Sequence, residues 1–183
     1  YGRDREAREG RDPCPVLFRL GQEHRDDESD ASSNYQGDLD AQVSDLRNRR
    51  LFDLSPDGIR ELVIPRTPAL HLKRTHDGVW NLVTAGRETP ADETRARDFV
   101  AWVAQLRTAG FPAVIPESAF AETAEAAVIR DDRDRQTTLF LGAEYRNGAR
   151  FVRTSARPDE VYILSPSTLE RLGASPDDFI AAP

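Results

Sequence analysis

The chain has 183 residues, 38% hydrophobic and 31% charged, which suffices for one moderate domain under a highly charged surface. Its formal net charge is -7 and its pI about 5.1, with arginines interleaved among acids and Lys73 the only lysine, so no basic stripe builds up and nucleic acid is excluded as a partner. No apolar run approaches the roughly 20 residues of a membrane-spanning helix. The absence of any Met, initiator included, predicts a processed or trimmed piece of a longer chain, with room for a membrane anchor in its missing start.

Residues 1–12 are charged and without period and read as a mobile lead-in. Cys14 is alone between Pro13 and Pro15, which fits an incidental thiol better than a nucleophile and excludes an internal disulfide. Val16 to Leu20 is a short apolar run, read as a strand. Asp26, Asp27, Glu28 and Asp30 crowd the polar stretch that follows. They lack the alternate-position ligands and central Gly of a calcium loop and read as a solvated loop.

Asp38 can cap a helix carrying Leu39, Val43 and Leu46, with Arg47, Arg49 and Arg50 at its negative pole. Pro56-Asp57-Gly58 predicts a turn and Ile59 to Ile64 a strand. Ala69 to Arg74 and Val79 to Thr84 form the arms of a predicted hairpin turned at His76-Asp77-Gly78. Alternation puts Leu70 and Leu72 on one face, His71 and Lys73 on the other, and pairs Trp80 with Leu82.

The most regular stretch runs from Thr89 to Gly110. Thr89 is expected to cap a helix, with Pro90 at its first position and Asp92 and Glu93 at its positive pole. Ala96, Phe99, Val103 and Leu106, flanked by Val100 and Trp102, make one apolar stripe, and Gly110 with Pro112 closes the helix. Beyond it, Phe111 to Ile115 reads as a short extended piece and Ser118 to Glu125 as a helical turn or a loop. Ala127 to Arg130 pairs with Thr137 to Leu141 across the charged turn 131–135. The Asn147-Gly148 step predicts a hairpin into Ala149 to Thr154, and Val161 to Leu164 is the last expected strand. Ser165-Pro166 then opens a short helix with Leu169 and Leu172 inward and Gly173 at its end. The fold class is α+β: a mainly antiparallel sheet with one main amphipathic helix packed on it, and short helices.

Two short phrases recur in the same order. Leu20-Gly21-Gln22-Glu23 echoes Leu141-Gly142-Ala143-Glu144, and Ser55-Pro56-Asp57-Gly58-Ile59 echoes Ser175-Pro176-Asp177-Asp178-Phe179-Ile180. Gly21 and Gly142 lie 121 positions apart, Pro56 and Pro176 120 apart. Near-equal offsets predict a tandem repeat of roughly 120 residues, with residues 1–53 the tail of one unit and 54–183 a nearly complete second.

The second unit resembles a bacterial family, the domain of unknown function 4340. The similarity is carried by Pro56, Asp57 and Ile59 and by Leu70 and Leu72. It continues through Asp77-Gly78-Val79-Trp80-Asn81-Leu82, Ala91-Asp92, Thr138-Leu139-Phe140-Leu141-Gly142 and Val161-Tyr162-Ile163-Leu164. It covers about residues 51–180, and the family's usual Gly-Leu-x-x-Pro segment has no counterpart around Phe120 to Ala126. The resemblance implies an extracytoplasmic domain tethered to the inner membrane by an N-terminal hydrophobic helix and associated with ABC-type transporter components. It implies no catalytic residue.

The residues suggest little chemistry of their own. His24 lies in a polar run, His71 on an outward strand face and His76 in a turn beside Asp77, without the convergent spacing of a metal site. All three read as solvated surface groups, because a water-exposed turn or strand face is a poor setting for an acid–base dyad. Ser55 and Ser175 precede prolines as turn or cap residues, with no Gly-x-Ser-x-Gly elbow and no phosphate-cradling glycine loop. Trp80 and Trp102 belong to the core rather than to a stacking platform. No catalytic, cofactor-binding or metal site is assigned, and no cofactor is expected. The function that follows is a non-catalytic binding or scaffold domain serving protein partners in a membrane complex, with free sheet edges as its binding surface. The alternatives are an envelope-acting hydrolase with a carboxylate or metal site, recognisable by a pocket where such groups converge, and a plain cytoplasmic interaction protein without an anchor.

Overall fold

A computed structural model describes residues 47–181, all within a unit that begins at Ser44. The predicted segments before Arg47, with Cys14, His24 and the acidic run 26–30, lie outside the described residues. Eight strands form one antiparallel sheet: β1 Ile59–Ile64, β2 Leu70–Arg74, β3 Trp80–Thr84, β4 Arg87–Pro90, β5 Ala124–Asp131, β6 Gln136–Glu144, β7 Arg150–Thr154 and β8 Arg157–Leu164. Their spatial order is β4-β3-β2-β1-β5-β6-β7-β8. The sheet is therefore two four-stranded meanders joined where β1 pairs antiparallel with β5. A helix follows each meander: α1, Glu93–Ala104, after β4, and α2, Pro166–Leu172, after β8.

The turns explain the meanders. Ala85-Gly86 and Asn147-Gly148 both have positive φ at their two central residues, the geometry whose twist matches paired antiparallel strands. Ala149 N–H closes the second of them on Arg146 O at 2.9 Å. Between β5 and β6, Asp134 takes φ 58° in the 131–135 loop, a left-handed residue of the kind that closes short hairpin loops. The Thr67–Pro68 peptide in the β1–β2 connection is cis.

The inner face of the sheet carries Leu62, Ile64, Leu70, Leu72, Trp80, Leu82, Ile129, Leu139, Val152, Tyr162 and Leu164, all buried in one cluster with Ala96, Phe99, Val100 and Val103 of α1. Period two in the strands meets period 3.6 in the helix, and each apolar stripe hides the other from water. Leu51 and Phe52 join the same core from a strap that pairs with the chain leaving α1: Leu51 N–H bonds Leu106 O at 3.0 Å and Thr108 N–H bonds Arg49 O at 2.8 Å.

Several boundaries differ from the expectation. The main helix spans 93–104, not 89–110. Its cap is Asp92, whose carboxylate accepts the N–H of Arg95 at 3.0 Å, because Thr89 and Pro90 are taken up by β4. Its last carbonyls are closed by Gln105, and Leu106, though buried, already belongs to the strap pairing. Residues 111–115 form no strand; only Gly110 bridges Ile163. The ambiguous 118–125 segment splits into a 3-10 turn, Glu117–Phe120, and the start of β5. The last strand begins at Arg157 rather than Val161, since Thr154 and Arg157 close a hairpin across Ser155-Ala156. The pairing also shifts register between β7 and β8, so the Pro158–Val161 stretch bulges.

Candidate functional site

Alternation sends every second strand side chain to the outer face, away from α1. On the second meander that face is covered. The 3-10 turn Glu117–Phe120 lies over β6, and it can do so because residue 142 is glycine: a Cβ there would stand 2.2 Å from Ala119 O and 2.9 Å from the Phe120 ring. The Arg153 guanidinium sits 4.6 Å over the Phe120 ring and 5.9 Å from that of Phe140. Phe151 is buried beneath Tyr145, with ring centroids 5.1 Å apart.

On the first meander nothing among the described residues lies over the outer face, and the register arranges two rows there. Lys73 stands opposite both Asn81 and Glu61, and Glu61 opposite Arg130, giving a polar row across β3, β2, β1 and β5. The parallel row, two residues along, holds Val63 opposite both His71 and Val128, with Val83 beside Glu88 at its far end. These valines are half-buried.

The polar groups are bound to each other. His71 Nε2 lies 2.6 Å from Glu61 Oε1, and Arg130 approaches the other Glu61 oxygen at 3.5 Å. Lys73 donates to Glu88 at 2.6 Å, and Asn81 Nδ2 donates to the same carboxylate at 3.2 Å. The hydrogen bond to Glu88 raises the Lys73 ammonium above its ordinary value. The hydrogen bonds from Lys73, then from Asn81, hold the Glu88 carboxyl below its own. His71 therefore differs from the expected solvated group: its side chain is 28% exposed and held by a carboxylate that is 23% exposed. His76 is exposed in the β2–β3 turn, as its position implied.

Several clefts indent the surface, and two of them gather charged or apolar side chains. One, of about 330 Å³, is lined by Asp53, Leu54, Asp131, Arg135 and Arg157 among others. Asp131 is 3% exposed. Burial pushes its pKa up, but the N–H groups of Arg135 and Arg133 at 2.9 Å each and the Arg135 guanidinium at 2.7 Å outweigh that and hold the carboxyl below its ordinary value. Arg157 bonds the Tyr162 hydroxyl at 3.2 Å and pairs with Asp53, which raises its pKa. Tyr162 donates to Glu160, and its burial raises the phenol. The charges of this cleft are spent on one another, as in a structural network. The second cleft, of about 380 Å³, has an apolar floor of Phe111, Pro112, Ile115 and Val161 between Arg47 and Asp159.

The sheet edges, expected to receive partner strands, are blunted. β4 is four residues long and ends in Pro90, and the chain just past it is capped by Asp92 N–H to Phe179 O at 2.8 Å. β8 carries Pro158 and the bulge, and its Ile163 is paired with Ala109 and Gly110. Short edge strands, proline and bulges are the usual devices against edge pairing. The buried Thr108 hydroxyl fixes that strap by donating to Ile163 O at 2.8 Å.

Ser175 completes a capping box with Asp178, whereas the Ser55 side chain makes no cap bond. Trp80 is buried in the core; Trp102 is half-buried, with Arg171 4.3 Å over its ring. Among the described residues no group of three or more His, Cys, Asp or Glu side chains is placed to hold a metal ion, and no helix is long and apolar enough to cross a membrane. Glu61, Arg130 and Asp131 were not singled out from sequence; their one signal was parity with neighbouring core residues. Set against family models, curated proteins and solved structures, the chain matches none of them.

Proposed function

We propose that this chain is a binding or scaffold domain, and that the uncovered outer face of the first meander is the surface it offers to protein partners. One observation carries the reading: on that face the ionisable groups are tied to each other around a stripe of half-buried valines, instead of converging on a cleft. A flat, charge-satisfied face can be covered by a partner without stranding a buried charge, which is what docking requires. An acid–base centre needs groups held short of their partners and aimed at a substrate.

The resemblance to the domain of unknown function 4340 adds the setting: an extracytoplasmic domain tethered to the inner membrane, auxiliary to an ABC-type transporter. The tandem-repeat reading belongs to the same proposal. Ser55-Pro56 and Ser175-Pro176 both open 3-10 turns, shortly after the buried leucines Leu51 and Leu172.

Two experiments on the full-length gene product test this. Alkaline phosphatase fused after Pro183 is expected to be active, since that enzyme matures only outside the cytoplasm; an inactive fusion removes the extracytoplasmic setting. A photo-crosslinker at position 63 is expected to capture a protein partner in cells. The scaffold reading fails if the crosslinker captures nothing while the purified chain turns over envelope polymer.

A further inference from the structure

The pattern of charge on the outer face goes further than a general docking surface, because it fits itself. Across neighbouring strands the polar row reads Asn81, Lys73, Glu61, Arg130: neutral, positive, negative, positive. Consider a two-fold axis lying in the plane between two such faces, parallel to the strands and midway between β1 and β2. The rotation carries β2 onto the partner's β1 and β3 onto the partner's β5. Lys73 then meets Glu61 of the second copy, Glu61 meets its Lys73, and Asn81 meets Arg130. In the next row Val83 meets Val128 and His71 meets Val63. No like charges face each other in either row. A two-fold parallel to the strands but placed on β1 itself would set Lys73 against Arg130 and fail. An axis across the strands and through the polar row would stack Lys73 on Lys73. This strand-parallel placement satisfies the whole row, and it keeps the strands of the two sheets aligned, as packed sheets prefer.

We infer that the partner of this face is a second copy of the chain, docked face to face about an axis between β1 and β2. The inference rests on reading the face as an interaction surface. The helix side of the sheet is already occupied by α1, and the second meander is closed by the 117–120 turn, so the rotation brings together the four strands β3, β2, β1 and β5 of each copy. At a strand spacing of about 4.8 Å those strands span about 19 Å. A patch of that size belongs to the small, reversible class of interfaces, so the dimer is expected to dissociate on the order of 10–100 µM.

The test is sedimentation equilibrium of the 183-residue chain up to about 1 mM, with charge-reversed variants. Lys73→Glu and Glu61→Lys alone each set two like pairs across the axis and should weaken the dimer at least about tenfold. Mixing the two variants restores opposite charges at both contacts, so the mixture should form a heterodimer at about the native strength. Each variant carries its own disturbance of the Glu88 and His71 contacts within the chain, but mixing cannot repair an intrachain fault. Recovery on mixing therefore reports the contact between copies. Circular dichroism of each variant confirms the fold. A chain monomeric at 1 mM, or a dimer indifferent to the reversals, overturns self-association. Those outcomes leave the crosslinking result at position 63 standing, so failure of this inference is separable from failure of the scaffold reading.

Discussion

The two meanders share a plan and differ in what lies above them. Each is four antiparallel strands, each ends in a two-residue hairpin that pairs a threonine with an arginine, Thr84 with Arg87 and Thr154 with Arg157, and each delivers the chain into a capped helix. Yet the second buries aromatic rings on both faces, while the first buries apolar side chains on one face and pairs charges on the other. The difference traces to one connection. The segment between α1 and β5 is long enough to fold the 117–120 turn back over β6, and no described segment does the same for β1 to β4. Coverage, not strand topology, separates the two outer faces.

The sharpest way to break that comparison is to truncate outer-face side chains on each half. Phe151 is 3% exposed, and Phe151→Ala should cost about 3–5 kcal/mol, the range for an emptied aromatic site. Val63→Ala, at a half-exposed position on the first meander, should cost about 1 kcal/mol or less. Denaturant unfolding at low micromolar concentration measures both. Equal costs would mean that the first face is as deeply covered as the second. A middle-sized effect probes the cover itself: Gly142→Ala forces Ala119 and Phe120 off β6 and should cost about 1–3 kcal/mol, with the displaced Phe120 ring visible as shifted aromatic proton resonances.

Most of this architecture was legible because it rests on local chemistry. Asn147-Gly148 can supply two positive φ values, alternation in Leu70–Leu72 and Trp80–Leu82 marks the inner face, and the Ala96, Phe99, Val103 spacing marks the helix. What was not legible depends on neighbours far along the chain. Arg87–Pro90 is polar, exposed and ends in proline; it is a strand only because β3 lies beside it, and taking it as a helix start moved the cap from Asp92 to Thr89. The candidate face was hidden for the same reason. Glu61 and Arg130 meet through the β1–β5 register, which no spacing in either segment announces. Gly142 looked like the end of a phrase, and its role appears only with Ala119 placed above it.

Acid sharpens the comparison along the seam. Asp131 sits at the end of β5, where its carboxyl is held below its ordinary value of 3.8. A group whose folded pKa is depressed contributes stability that is present above the unfolded value and lost as pH falls through the folded one. Stability of the native chain should therefore fall as pH drops below about 4, and Asp131→Asn should flatten that part of the profile while lowering the plateau at neutral pH. Unchanged acid slopes in the variant would assign the acid lability to other carboxylates.

The smallest effect expected is at Lys73. Its ammonium and the Glu88 carboxylate shift each other in opposite senses, which looks like a strong bond, but their side chains are 49% and 41% exposed. In water the pair exchanges hydration for contact and orders two long side chains, so the shifts do not translate into folding stability. Lys73→Met keeps the aliphatic stem over the sheet and removes only the charge. Its unfolding midpoint, measured at low micromolar concentration where the chain is monomeric, should match that of the native chain. At about 1 mM the same substitution takes one partner from Glu61 of the second copy at both symmetry-related contacts, so there the midpoint should drop through mass action on the dimer. A midpoint that shifts equally at both concentrations would place the role of Lys73 inside the fold of one chain rather than on its face.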